Sequence, residues 1–291
     1  MFKILRKREL APDIYLFEVE APRVAKTANP GQFVIVRAYD KGERIPLTIA
    51  DYDKRTGSVT IVIQALGAST RVICSFEEGD SFVDFAGPLG QPSDFIHFDP
   101  DKINGKRFLF VAGGVGAAPI YPQLKYLKER GAVLDVIIGA RSKELLILLD
   151  EIREKVDNLY VATNDGSFGY KGFVTCVLEE LISKGNQYDQ VIAIGPMVMM
   201  KSVAESTKKY SIPTIVSLNT LMIDGTGMCG ACRVTVNGKI RFTCVDGPEF
   251  NAHEVDFDEA MLRLNMYRSE EQKRLVDIER KHHKCKIGRT M

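Results

Sequence analysis

Three apolar runs in the middle of the chain each lead into glycine. Arg107-Phe108-Leu109-Phe110-Val111-Ala112 precedes Gly113, Leu134-Asp135-Val136-Ile137-Ile138 precedes Gly139, and Gln190-Val191-Ile192-Ala193-Ile194 precedes Gly195. Near-continuous apolar runs of this length suit strands covered on both faces, and a stretch of helical character follows each: Pro119 to Arg130, Glu144 to Lys155, and Pro196 to Tyr210. Leu159-Tyr160-Val161-Ala162-Thr163 reads as another strand, Gly172 to Lys184 as its helix, and Ser211 to Leu221 as the last strand of the set. Strands alternating with helices predict a parallel sheet with helices on both sides.

The region before it has a different rhythm. Ile14 to Val19, Gln32 to Arg37 and Ser58 to Ile63 are short β-type runs, punctuated by Gly31, Gly42, Gly57, Gly67, Gly79, Gly87 and Gly90. Many short antiparallel strands predict a small barrel. A length of 291 residues accommodates two such domains and an appendage. With 39 basic and 38 acidic side chains, no broad field exists to attract nucleic acid or anionic lipid, and neither is expected as a partner. The chain has no uninterrupted apolar run of about 18 residues, and its start lacks the features of a secretory signal. A cytoplasmic protein that does not enter the membrane is expected.

Gly113-Gly114-Val115-Gly116-Ala117-Ala118-Pro119 lies where a strand gives way to a helix. Backbone N–H groups and the positive helix end can there face a pyrophosphate, although the spacing is not that of GxGxxG and a tight turn is the plainer alternative. Gly195-Pro196-Met197 is a second such turn. Arg141, after the second strand, is placed to stack on adenine or meet a ribose phosphate, whereas Lys143 reads as solvated surface. Asp165-Gly166, after the third strand, is placed to meet a ribose or simply to turn the chain. These residues do not fix NAD(H) against NADP(H), since Arg141 and Lys143 can meet a 2′-phosphate or only solvent.

Six cysteines are too few for a disulfide scaffold in a chain of this length, yet Cys229, Cys232 and Cys244 cluster. Together with Asp224 they read D-x4-C-x2-C-x11-C. Glycines among the ligands let the backbone curl, and the spacing is that of a plant-type [2Fe-2S] site with Asp224 in the first cysteine's place. A carboxylate carries the thiolate's charge but is a harder donor. Zinc on three cysteines plus Asp224 or water is the alternative. In the barrel, Arg44-Ile45-Pro46-Leu47-Thr48-Ile49 sets a guanidinium four residues from a hydroxyl, so one strand can offer charge to a phosphate and backbone to a flat ring.

In this order the features resemble the ferredoxin-NADP reductase superfamily: a six-stranded flavin barrel with an R-x-P-x-[ST] motif, then a nucleotide domain opening on GGxGxAP and closing on GPxxM. The resemblance implies that Arg44, Pro46, Leu47, Thr48 and Ile49 hold FAD, that Gly67, Ser69 and Thr70 form a second flavin segment, and that Gly113, Gly114, Gly116, Ala117, Pro119, Gly195, Pro196 and Met197 take the dinucleotide. Ser69 or Thr70 as an ordinary helix cap is the bland alternative for the second segment. With the cysteine lobe appended, the chain is similar to the electron-transfer subunits of class-B dihydroorotate dehydrogenases. It is closer to the small subunits of NADH-dependent reduced ferredoxin:NADP oxidoreductases, because the former use four cysteines where this chain has Asp224.

The resemblance therefore implies an FAD-binding barrel over 1–99, an NAD(P)-binding α/β domain over 100–221, a [2Fe-2S] lobe over 222–250, and a C-terminal helix and tail over 251–291. It also implies an electron-transfer subunit of a heterodimer, whose larger flavin and iron-sulfur subunit handles NADP and ferredoxin by electron bifurcation. A dihydroorotate-linked subunit and a redox-inactive, zinc-stabilised nucleotide module are the rival functions. The helix from Asp258 to about Lys281 is expected either to grip the partner or to pack on its own chain. Cys74 and Cys176 are expected in apolar cores and Cys285 in the solvated tail.

Overall fold

The computed structural model describes residues 1–276. Its first sheet comprises β1 (Phe2–Ala11), β2 (Ile14–Glu20), β3 (Phe33–Arg37), β4 (Ile45–Asp53), β5 (Ser58–Gln64), β6 (Ser81–Phe82) and β7 (Asp84–Leu89), with helices α1 (Pro22–Thr27) and α2 (Ala68–Cys74) between strands. The order is β6-β1-β2-β5-β4-β3-β7, with every pair antiparallel. Its two edge strands are consecutive in the chain and separated by Val83 alone, so one interrupted strand nearly closes the barrel. Alternation drives this closure: Phe17, Val19, Val34, Val36, Ile61 and Ile63 point into one core. Each such fully buried side chain contributes about 1.5–3 kcal/mol.

The second sheet is built from β8 (Arg107–Gly113), β9 (Val133–Ala140), β10 (Asn158–Thr163), β11 (Tyr170–Lys171), β12 (Gln190–Ile194) and β13 (Thr214–Ser217). Its helices are α3 (Ala117–Lys128), α4 (Leu149–Arg153), α5 (Val174–Ser183) and α6 (Met197–Lys209). Leu109, Val111, Val191 and Ala193 pack beneath α5 and α6, while Phe108, Phe110, Ile192 and Ile194 pack beneath α3 and α4. Covering both faces explains why these strands read as unbroken apolar runs. Asp135, the one acidic residue in these strands, is fully buried and satisfied by Arg107 at 2.7 Å, Asn158 at 2.8 Å and the Tyr188 hydroxyl at 2.9 Å.

After β13 the chain forms a small lobe with the hairpin β14 (Arg233–Val236) and β15 (Lys239–Phe242) and the short α7 (Thr243–Asp246). It then returns as β16 (Glu249–Asn251) before α8 (Phe257–Leu264). The second sheet runs β11-β10-β9-β8-β12-β13-β16, with β16 antiparallel to β13.

Four expectations change here. Ser211 to Leu221 does supply the last parallel strand, β13, but the sheet continues to an antiparallel β16, because the chain leaves for the lobe and comes back. The helix expected over Glu144 to Lys155 shrinks to α4, since Leu148 takes a left-handed conformation (φ 57°) at its start. The C-terminal helix is broken by a turn at 265–267 and resumes over 268–276, its remainder and Cys285 lying outside the described residues. Cys74 is buried, but Cys176 is exposed: Val174, Val177, Leu178 and Leu181 form the inner face of α5 and leave position 176 outside.

Candidate functional site

The two glycine turns meet where the sheet reverses its winding. β9 and β10 lie to one side of β8 and β12 to the other, so the carboxyl ends of β8 and β12 flank the switch point at which open α/β sheets bind ligands. β8 ends at Gly113, one tight turn covers Gly114–Gly116, and α3 begins at Ala117 with Pro119 in its first turn. Only glycine fits there: a Cβ on Gly116 would sit 2.2 Å from the Ile194 carbonyl oxygen, and one on Gly113 would lie 2.6 Å from Met199 Sδ and 2.9 Å from Pro196. A Cβ on Gly195 would be 3.0 Å from the Gly113 nitrogen. Gly113, Gly116, Gly195 and Pro196 thus form a single close-packed floor, with Met197 buried behind it.

Arg141 is exposed at the end of β9. Asp165 stands beside it, donating its backbone N–H to the Arg141 carbonyl at 3.2 Å. The Asp165 carboxylate accepts from the Ser167 hydroxyl at 2.6 Å and the Ser167 N–H at 2.9 Å, and these bonds hold it below the usual carboxylate range. It closes its own turn. Lys143 is exposed, its ammonium 5.4 Å over the Phe168 ring.

In the barrel, Pro46, Leu47 and Thr48 lie along β4 and are half-buried, while Ile49 is buried. Register sets Ile35 opposite Pro46, Val34 opposite Leu47 and Phe33 opposite Thr48. Arg44, just before β4, approaches the Asp84 carboxylate at 3.7 Å and donates to the Asp224 carbonyl at 3.4 Å. One guanidinium thereby spans from the β4 entrance to the cysteine loop. At the second segment the helix cap is Gly67 rather than Ser69 or Thr70: Thr70, three residues on, accepts the Gly67 N–H at 2.9 Å. The Ser69 hydroxyl donates to Glu43, which also receives Arg274.

The four lobe donors stand as two pairs. Cys232 and Cys244 are buried with sulfurs 3.2 Å apart, and Cys244 is pushed up to about 12 by burial and by its neighbour. Asp224 and the exposed Cys229 make the second pair. The Asp224 carboxylate accepts N–H bonds from Thr226 at 3.0 Å, Met228 at 3.1 Å and Cys229 at 3.0 Å, which keep it below its ordinary value. Gly225, Gly227 and Gly230 all have positive φ, the curl that lets these N–H groups face inward. Among the described residues no three His, Cys, Asp or Glu side chains converge on one point, so the two pairs stand apart here, while three thiols and a carboxylate are the donor types a centre of two irons takes. The lobe also sits tightly on the barrel: Phe33 and Ile35 of β3 share one apolar core with Met222, Cys232 and Cys244, and a Cβ on Gly225 would be 2.8 Å from Ile35.

Comparison with known proteins gives this arrangement its family. The iron-sulfur cluster binding domain of dihydroorotate dehydrogenase B matches residues 219–256, and the oxidoreductase NAD-binding domain matches 110–205. The dihydroorotate dehydrogenase B electron-transfer subunit homolog of Thermotoga maritima is 45% identical over 92% of this chain and 92% of its own length. The chain belongs to the dihydroorotate dehydrogenase B electron-transfer subunit family. The Fusobacterium nucleatum subunit of that family is 31% identical over 86% of this chain and 95% of its own. Among solved structures, a chain of the NADH-dependent reduced ferredoxin-NADP oxidoreductase, described in terms of flavin-based electron bifurcation, is 44% identical with a TM-score of 0.88, over 95% of this chain and 97% of that one. The member described here is an oxidoreductase with an NAD-binding domain and an iron-sulfur-binding lobe, which displaces the zinc alternative.

Three residues that belong to no sequence motif, Ser93, Gln123 and Glu249, join where the barrel, α3 and β16 meet. No local signal marks them, because their partners lie more than a hundred residues apart in the chain.

Proposed function

We propose that this chain is the small, electron-transferring subunit of a flavin-based bifurcating NADH-dependent ferredoxin:NADP oxidoreductase, carrying FAD on the barrel, NAD(H) on the second sheet and a [2Fe-2S] cluster in the lobe. A flavin held there would supply the conversion between two-electron exchange with a nicotinamide and one-electron exchange with an iron-sulfur centre. The observation that carries this reading is the shared core of Phe33, Ile35, Cys232 and Cys244, which seats the cluster ligands against the strand next to β4.

The chain's own part is positioning. Gly113, Gly114 and Gly116, with Ala117 and Pro119 opening α3 and Gly195, Pro196 and Met197 opposite, let backbone N–H groups approach the dinucleotide's phosphates. Arg141 and Asp165 border its ribose. Pro46 to Ile49 offer backbone to the flavin ring, Arg44 pairs with the FAD pyrophosphate, and Gly67, Ser69 and Thr70 close on the same phosphates. Asp224, Cys229, Cys232 and Cys244 would together hold the cluster, which would supply one-electron transfer. Asp224 and Cys229 are flanked by exposed Ile223 (53%) and Met228 (88%), and Arg263 of α8 bonds the Ala231 carbonyl at 3.2 Å, setting exposed Leu262 beside the lobe. This rim takes the larger flavin and iron-sulfur subunit of a cytoplasmic heterodimer, through which electrons reach ferredoxin and NADP. Among the described residues no helix is long and apolar enough to cross a membrane.

Purification without oxygen tests the reading. The expected complex is a heterodimer whose small subunit holds one FAD and about two irons and whose flavin absorbance bleaches with NADH. A colourless chain that binds neither group would end it. A complex reduced by dihydroorotate would instead favour the dihydroorotate-linked role of the family's other members.

A further inference from the structure

Glu249 lies at the junction of all three units. Its backbone pairs with Ser217 at the carboxyl end of β13, and its Oε1 accepts from the Ser93 hydroxyl and from Gln123 Nε2 of α3, each at 2.9 Å. Ser93 and Gln123 are 1% and 0% exposed. The barrel approaches from the other side, where a Cβ on Gly31 would be 3.1 Å from the same oxygen. The adjoining Gln32 carbonyl accepts the N–H of Ile49, on the proposed flavin strand, at 3.0 Å.

Among the described residues no ion pair reaches this carboxyl. Lys125, the cation on α3 nearest Gln123, is bonded to Asp51 at 2.7 Å. The charged group that acts on Glu249 is Asp94, next to Ser93 in the chain and of like sign. Both partners can serve either protonation state: a serine hydroxyl donates or accepts, and an amide offers N–H to a carboxylate or C=O to a carboxylic acid. Gln123 Oε1 is buried without a partner, so turning the amide over to present it to a carboxylic acid would break no existing bond of that oxygen. Burial and Asp94 raise the group to about 7, against the pull of its two donors.

We propose that Glu249 is a proton-exchanging positioning residue, which binds a proton when the neighbouring flavin is reduced and releases it on reoxidation while its bonds to Ser93 and Gln123 hold the three units in register. Hydride transfer delivers two electrons and one proton; full reduction of a flavin takes a second proton, and both leave when the electrons pass on singly. Negative charge arriving on the far side of Gln32 favours the protonated carboxyl, so no direct contact with the ring is required. The inference rests on the flavin-loaded reading given above.

The test is the flavin midpoint potential of the intact, flavin-loaded chain from about pH 5.5 to about pH 8.5, with reduction-induced infrared difference spectra of the carboxyl band. The native protein is expected to show a steeper pH dependence around neutrality and a carboxylic acid band that grows on reduction. Glu249→Gln should remove both. Ser93→Ala deletes a donor that favours the anion, so it should move the steep region to higher pH, which a merely structural role would not do. A Glu249→Gln profile superimposable on the native one, or a Ser93→Ala profile that stays put, overturns the proposal. A chain that takes up no flavin overturns the functional reading along with it, so the two failures are distinguishable.

Discussion

At the residue scale, Asp224 and Glu249 show how environment divides the work of two carboxylates. Asp224 is exposed enough to stay charged and spends its lone pairs on three N–H groups of the loop that carries Cys229. Replacing it with alanine removes the loop's clamp together with the proposed iron donor, and most of the iron should be lost. Asp224→Cys should retain iron but shift the cluster's electron paramagnetic resonance signal, because a thiolate is a softer donor. An unshifted signal would show that Asp224 is not a ligand. Glu249 is raised from 4.5 to about 7, so the folded state holds its proton more tightly than the unfolded chain. The stability this gives is complete below about 4.5 and is lost as pH rises through about 7. Glu249→Gln should therefore flatten the pH dependence and leave the variant about 2–3 kcal/mol more stable than the native chain at about pH 8.5, as measured by denaturant unfolding. Spacing alone singles out Asp224 as a candidate, whereas nothing within ten residues of Glu249 hints at Ser93 or Gln123.

At the scale of elements, the strand-to-helix turns were the most legible feature and the helix ends the least. Apolar runs ending in glycine located β8, β9 and β12 within a residue or two. The glycine at 116 is required because the α3 entrance passes 2.2 Å, at the Cβ position, from the backbone of the neighbouring strand. Gly116→Ala must push β8 and β12 apart at their carboxyl ends, a strain of about 1–3 kcal/mol. It should weaken NADH binding by about tenfold or more while leaving flavin and iron content unchanged, which titration calorimetry with metal and flavin analysis would establish. Native-like NADH affinity in this variant would remove the turn from the nucleotide site. The shortened α4 and the break at 265–267 escaped the sequence because each depends on a local geometry that composition does not forbid: a left-handed leucine in one case, a turn between two helical stretches in the other.

For the whole molecule, the lobe's seat on the barrel is the decisive contact. Ile35 is fully buried between the barrel and the cysteine loop, and Gly225 approaches it closely. Ile35→Ala should cost about 2–5 kcal/mol and lower the ratio of iron to flavin, since the cavity opens beneath Cys232 and Cys244 rather than under β4. An unchanged ratio with the same loss of stability would mean that the ligand loop holds itself together without the barrel.

The sequence by itself determined the building blocks: strands covered on two faces, a small closed barrel, two glycine turns, and three cysteines with an aspartate at iron-sulfur spacing. These properties are carried by residues within about a dozen positions of one another, the range over which periodicity, turn chemistry and ligand spacing operate. Only the tertiary structure decided that β16 returns to the edge of the second sheet, that Arg44 reaches Asp224 across 180 residues, and that one carboxyl gathers the linker, α3 and the returning strand. Such contacts are chosen by the burial of the whole apolar surface at once. A chain segment has no local preference that reveals which distant partner that burial will bring to it.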